Sequence, residues 1–302
     1  MSKYVFKPTA ARYFFRNGCV ELVSGGLTFF PNVNPSCPKK ESGDIEIDRD
    51  YIDVDFVEGD FFKFLLKTCS SKDSFAKKAL AIGYMLCNKL PRGGRRCRAF
   101  ICANEHKGAY ANGKTLFAKA IAQFCNAAFI QGLCPKSTFW LDCVQENTTL
   151  LVIDDIPSDF KFYKLFTLCT DTWRVDRKAR PALIIPHERS PYLLVTSPLA
   201  SDEMRNDGSF RRRFVTLEFS SFFGQDCPVD KYTGRVMFDE WDEAQWHMFD
   251  CFMLDCIMQY LYCSNDGDED VFSTKGSAAP DALCRWSPHS EGVPRRRPEQ
   301  HG

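Results

Sequence analysis

The chain has 302 residues, 44% hydrophobic and 26% charged, with Lys+Arg and Asp+Glu both numbering 39. That is the composition of a soluble globular chain with a sizeable core, and it excludes a partner recruited by overall charge, so any basic surface must be local. No apolar run is long enough to span a bilayer, and Met1 to Lys7 lacks the apolar core of a signal peptide, which predicts a protein that stays where it is made.

The fifteen cysteines are scattered and odd in number, and no Cys-x-x-Cys pair occurs. They read as reduced core thiols, Cys251 and Cys256 falling inside a helical apolar pattern. The five histidines stand apart, which leaves no zinc-like spacing.

In chain order, Tyr13–Phe15 and Cys19–Val23 flank Asn17-Gly18, a hairpin signal, and Gly25-Gly26 leads into Leu27–Phe30. These runs predict a small antiparallel unit. Pro31 to Gly43 reads as a loop, and Ile45 to Phe56 as extended. Apolar periodicity then predicts helices over Phe61–Leu66 and about Asp73–Asn88, together a collar. Pro91 to Arg96 breaks the pattern and marks a boundary; its basic residues read as a solvated linker, with nucleic-acid contact as the second reading.

The stretch Gly108-Ala109-Tyr110-Ala111-Asn112-Gly113-Lys114-Thr115 fills every fixed place of the phosphate-binding loop. Glycine supplies the dihedrals that let backbone N–H groups converge on phosphate oxygens. Ala99–Ala103 reads as the strand before it. Leu116 to Phe124 reads as the helix after it, its positive end facing the phosphates. Lys114 would reach the β- and γ-phosphates of ATP, and the Thr115 hydroxyl would hold Mg²⁺.

Leu150–Asp155 is an apolar strand ending in two carboxylates, forty residues past Lys114. Asp154 would complete the magnesium shell beside Thr115, and Asp155 would polarise the attacking water. A short helix is expected from Phe160 to Leu168. Thr172 to Pro181 crowds basic residues into strand, turn and strand. Pro191 to Ser197 is a further buried strand with a polar end, the place for a side chain that senses the γ-phosphate. Gly208 to Leu217 sets Arg211, Arg212 and Arg213 before another strand. From about Glu243 to Tyr262, Trp246, Phe249, Met253, Leu254, Ile257 and Leu261 mark an amphipathic helix, whose leading acids Asp239, Glu240, Asp242 and Glu243 read as capping rather than as a second metal site. From Ser264 onward the composition predicts disorder.

Phosphate loop, paired acids, basic turn, polar-ended strand and arginine cluster, in this order, resemble the superfamily 3 helicases of small DNA viruses, phages and mobile elements. Phe139-Trp140-Leu141 and Val175-Asp176-Arg177-Lys178 are similar to stretches of the papillomavirus replication helicase. Ser209–Arg213, Phe219–Phe223 and Phe238–Trp246 resemble the helicase part of phage-type primase–helicases. The resemblance covers Arg98 to Phe223 well and Pro228 to Tyr262 more loosely.

The resemblance implies an α/β P-loop core of AAA+-like type with a central, mostly parallel sheet. The segments expected are an N-terminal hairpin-plus-collar region over 1–92, an ATPase core over 93–225, a helical segment over 226–263 and a disordered tail over 264–302. It further implies a ring, a hexamer in that family, driven along single-stranded DNA by ATP hydrolysis, with a primase or other replication proteins as further partners. The implied compartment is the host cytoplasm, or the nucleus for a eukaryotic virus. Lys178 would grip the DNA backbone from a channel hairpin, with Arg177 and Arg180 beside it. Arg213 fits the finger position reaching a neighbouring subunit best by register, and Arg212 is second. Two departures stand out. Ser197 replaces the usual sensor Asn, with Thr196 as an alternative, and Ala179 replaces His in the hairpin of the papillomavirus pattern. They motivate a second reading, a nucleotide-binding replication initiator or assembly protein that forms rings but unwinds poorly. A small-molecule kinase is disfavoured, since nothing reads as a lid or acceptor pocket.

Overall fold

A computed structural model describes residues 10–41, 44–87, 98–108, 110–132, 138–200, 208–265 and 271–272. The boundary at Pro91–Arg96, the loop residue Ala109 and all but a few residues of the tail lie outside them.

Strands β1 (Ala10–Phe15), β2 (Gly18–Val23) and β3 (Gly26–Pro31) form the expected antiparallel meander. One addition departs from the sequence expectation: β4 (Ile45–Ile47) pairs with β1 in parallel, giving the order β3-β2-β1-β4. Helix α1 (Asp60–Lys67) follows, then α2 (Lys72–Leu86), whose first turn is capped by the Ser71 hydroxyl accepting the Ser74 N–H at 3.1 Å.

The second sheet contains β5 (Ala99–Asn104), β6 (Ala127–Gln131), β7 (Leu150–Asp154), β10 (Tyr192–Ala200) and β11 (Phe214–Phe219). Its order is β11-β5-β10-β7-β6, and every pairing is parallel. Helix α3 (Lys114–Ala122) links β5 to β6. Between β7 and β10 the antiparallel hairpin β8 (Trp173–Arg177) and β9 (Arg180–Ile185) stands apart from the sheet. Helix α4 (Gly208–Arg211) precedes β11, and α5 (Val229–Thr233) and α6 (Glu243–Asn265) close the described chain. No helix among the described residues is long and apolar enough to cross a membrane.

The near-continuous apolar runs in β5, β7 and β10 follow from burial on both faces. Alternate residues serve different cores. Phe100, Cys102, Val152, Leu194 and Leu217 belong to a cluster that also takes in α2, α3, α6 and the N-terminal sheet. Ile101, Ile153, Val195 and Phe214 face a second cluster, closed by Val144, Leu165, Trp173 and Phe210.

Helix α6 is buried beyond the one stripe that the amphipathic pattern marked. Besides the predicted stripe, Asp250, Cys251, Phe252, Cys256 and Tyr260 are buried, because α6 is gripped from several sides rather than laid on a surface. At Gly83 the approach of α2 is so close that a Cβ would lie 2.2 Å from the Cys256 carbonyl oxygen. Of the acids before α6, Asp242 caps the helix, its Oδ1 accepting the Gln245 N–H at 2.9 Å, whereas Glu240 closes the preceding turn, its Oε2 accepting the Val236 N–H at 2.6 Å.

Three further differences have local causes. Phe160–Leu168 forms two 3₁₀ turns, Phe162–Leu165 and Thr167–Cys169, which still point Phe162, Leu165 and Cys169 inward. Edge strand β6 was not expected, since its five residues leave Phe129 exposed and show no strand periodicity. In the region assigned to the tail, Phe272 packs edge-on against Phe100 and Tyr84, with ring centroids 5.3 and 5.8 Å away.

The β8–β9 turn places Ala179 at φ 56°, in the left-handed region where a Cβ is unfavourable. Ala179→Gly is expected to stabilise the chain by about 0.5–1 kcal/mol, the relieved strain exceeding the added unfolded-state freedom. The check is an upward shift of the urea midpoint at unchanged slope.

Candidate nucleotide-binding site

The carboxyl edge of the parallel sheet collects the polar residues, as connections in this fold class require. Strand β5 runs into a loop in which Gly108, Ala111 and Gly113 have φ of 80°, 57° and 88°. Gly113 is the N-cap of α3, so its left-handed turn aims backbone N–H groups at the space ahead of the helix. A side chain is excluded there for a second reason, because a Cβ would lie 2.4 Å from the Phe64 ring. Phe64 in turn stacks on Phe223 at 5.4 Å. Within the loop Tyr110 is exposed, Asn112 is buried, and Leu116 is half-buried in the first turn of α3.

Lys114 Nζ donates to Asn112 Oδ1 at 2.7 Å and to Asn104 Oδ1. Burial holds its ammonium below the ordinary lysine range, against the pull of Asp155 and Asp154. Thr115 Oγ1 donates to Asp154 at 2.9 Å (Oδ1) and 3.2 Å (Oδ2). Asp154 ends β7, which is separated from β5 by β10, so this bond spans the intervening strand. On that strand Thr196 Oγ1 donates to Asp154 Oδ1 at 2.7 Å and accepts the Asp155 N–H at 2.7 Å. Asp155 is exposed at φ 55°, a conformation Asp tolerates better than most residues.

The donor set matches a hard divalent cation. Thr115 and Asp154 offer a hydroxyl and a carboxylate, and no group of three or more His, Cys, Asp or Glu forms a metal cage among the described residues. Thr115 and Asp154 would suit a magnesium ion, which is commonly bound through one or two protein oxygens together with substrate phosphates.

Ser197 does not join this group. Side chains alternate along a strand, so when Thr196 faces Asp154 its neighbour points away. The Ser197 hydroxyl is buried and accepts the Leu199 N–H at 3.2 Å. The residue in contact with Asp154 is therefore Thr196, the sequence alternative.

Neither a protein-family model nor a curated protein matches the chain. Among solved structures it is similar to the A-form apo structure of the NrS-1 C-terminal region, at 14% identity and TM-score 0.45, over 84% of this chain and 66% of that one. A second A-form apo structure of that region gives 13% identity and TM-score 0.39, over 81% and 64%. JCV helicase bound to a thiazolopyridine compound gives 14% identity and TM-score 0.37, over 67% and 60%. The chain thus spans less than two thirds of the length of each of these structures.

The basic residues divide into held and exposed. Lys178 and Arg180 are exposed at the β8–β9 turn. Arg177, expected beside them, turns back into the protein, its Nη2 donating to the Val144 carbonyl at 3.5 Å and to Gln145 Oε1 at 3.4 Å. The arginine run divides in the same way. Arg213 is half-buried, its guanidinium 4.7 Å from the Phe166 ring centroid and its Nη1 bonded to the Ser209 carbonyl at 3.0 Å. Arg212 is exposed, with its Nε on the Gly208 carbonyl at 3.1 Å. Phe166 comes to Arg213 from a turn distant in sequence, a contact that register with the following strand does not encode.

Sequence reasoning missed Asn104. It ends β5 fully buried, and its carboxamide touches both Asn112 and Lys114. A polar residue closing an otherwise apolar strand before a phosphate loop was the available signal.

Proposed function

We propose that this chain binds ATP with Mg²⁺ and hydrolyses it as the motor of a DNA helicase of superfamily 3 type, from a virus, phage or mobile element. The observation that carries the reading is the Thr115–Asp154 bond, which joins the first turn of the loop helix to the acid of a strand two places away in the sheet. It brings together two motifs that are 39 residues apart in sequence. When bound, Mg²⁺ would neutralise developing charge on the transferring phosphoryl group. Thr115 and Asp154 would hold it, the loop N–H groups and Lys114 would hold the phosphates, and Asp155 would orient the attacking water.

Motor action needs two more parts. An arginine from a second copy would stabilise charge at the γ-phosphate and couple hydrolysis to a subunit interface; exposure favours Arg212 for this role. Lys178 and Arg180, exposed on the hairpin turn, would contact the phosphates of single-stranded DNA in a ring of identical copies. The test is ATP turnover by the purified chain with and without single-stranded DNA. Stimulated turnover that Lys114→Ala lowers by about 10²–10³-fold is the expected result. No DNA-stimulated turnover, or turnover indifferent to Lys114, ends the motor reading.

The inward turn of the Ser197 hydroxyl keeps the second reading in view, a nucleotide-dependent initiator or assembly protein that forms rings on DNA and unwinds poorly. Strand displacement separates them. DNA binding that requires ATP but not its hydrolysis, without displacement, favours the second.

A further inference from the structure

Asn104 is a buried polar residue to which the mechanism above gives no task. Its carboxamide has partners on three sides. Nδ2 donates to the Pro198 carbonyl at 2.7 Å; Oδ1 accepts from Asn112 Nδ2 at 2.9 Å and from Lys114 Nζ. Asn112 Oδ1 accepts from the same ammonium at 2.7 Å, so two amide oxygens close on one charged donor. Hydrogen bonds to a charged group are stronger than neutral ones, and a low-dielectric setting strengthens them further.

Pro198 gives this arrangement reach. It lies where the pairing of β10 with β5 shifts register, between Thr196 and Ala200, and two residues past the threonine that holds Asp154. One side chain therefore spans the lysine of the phosphate loop and the end of β10. Ser197, on β10 itself, makes no such bridge, because its hydroxyl is turned to Leu199.

We infer that Asn104 is a positioning residue that holds Lys114 inward and competes with phosphate oxygens for its ammonium, so that loading a triphosphate transfers Lys114 from Asn104 to the nucleotide. The inference rests on the triphosphate reading above. The transfer leaves Asn104 Oδ1 with Asn112 while Nδ2 stays on Pro198.

Two substitutions at this position act oppositely on the competition. Asn104→Asp adds a negative charge facing Lys114, tightening the inward hold. Asn104→Ser shortens the side chain and removes the competing oxygen, along with the tie to Pro198. The full chain is titrated with a fluorescent ATP and a fluorescent ADP in Mg²⁺, and turnover and thermal midpoint are recorded for each variant. Asn104→Asp is expected to weaken ATP binding about tenfold or more. Asn104→Ser is expected to bind ATP at least as tightly as the parent chain, with kcat reduced and KM not raised. Weakened binding in both variants alongside a falling midpoint assigns Asn104 to fold support and overturns the inference, as does unchanged binding in both. If Asn104→Asp fails to fold, Asn112→Asp presents the same charge from the loop side and is expected to weaken ATP binding likewise; unchanged binding there also overturns it. A parent chain that binds neither nucleotide removes the triphosphate reading itself, whereas a parent chain that turns over ATP while the variants shift together removes only the role of Asn104.

Discussion

Asp154→Asn is expected to reduce Mg²⁺-dependent ATP turnover by about 10²–10³-fold, the usual effect of deleting one electrostatic stabiliser from a preorganised site. The carboxylate accepts from Thr115 and Thr196 together, so an amide of the same size can keep part of this hydrogen bonding while losing the charge that a cation requires. Loss of turnover with the fold intact is thus the anticipated outcome. A comparison with Asp155→Asn divides the labour of the two acids. Asp155 is exposed and receives no bond from Thr115; its own N–H is what reaches Thr196. Its amide variant should lose turnover while the magnesium concentration giving half-maximal nucleotide binding stays at the parent value. That concentration should rise in Asp154→Asn. If both variants shift it equally, the assignment of distinct roles fails.

The second large effect lies away from the nucleotide. Arg49→Ala is expected to cost about 3–5 kcal/mol of stability, because it leaves a buried carboxylate without its partner. Arg49 Nε donates to Asp250 at 2.7 Å (Oδ2) and 3.0 Å (Oδ1), and the Asp250 side chain is 1% exposed. The guanidinium also lies 4.5 Å from the Trp246 ring centroid and 5.6 Å from that of Phe124, so truncation removes packing as well as charge. Burial raises the Asp250 pKa above the ordinary carboxylate value, and the Arg49 hydrogen bond and charge pull it down. Removing Arg49 leaves burial opposed only by the weaker pull of His247. A carboxylate whose folded pKa is raised loses stability as pH climbs through that pKa, so the penalty in Arg49→Ala should be greatest at neutral pH and shrink toward acid. Urea unfolding at neutral and mildly acidic pH checks the sign, and a penalty that grows on acidification would contradict it. Asp250→Asn in the Arg49→Ala background should recover part of the loss at neutral pH.

Much of the architecture was legible because local signals were strong and agreed with one another. Asn17-Gly18 announced the hairpin, the glycine pair bracketing Tyr110 announced the loop, and the unbroken apolar run at Leu150–Ile153 announced a strand buried on both faces. What sequence could not supply was anything decided across the fold. Helix α6 displayed a one-sided stripe, yet Cys251, Phe252 and Cys256 are buried too, since the surrounding elements meet it from directions no periodicity encodes. Arg177 was expected beside Lys178 and Arg213 as the finger, yet they are tied to Gln145 and Phe166, brought near by the chain's return. The choice between Thr196 and Ser197 turned on which face of β10 meets Asp154, a matter of one residue in register. Asn104 was overlooked because the polar close of an apolar strand is a weaker signal than the loop motif that follows it.

The ring of Phe64, lodged where any side chain on Gly113 would have to go, has a practical corollary for dissecting the molecule. A fragment cut to begin near residue 93, as motif boundaries alone would suggest, discards the floor beneath its own phosphate loop. It also bares Phe117, Phe124 and Phe219, which share one apolar cluster with α1, α2 and the first sheet. Such a piece should come out of expression sticky and inert even with every signature residue present. The smallest unit worth purifying keeps the leading sheet and both early helices attached.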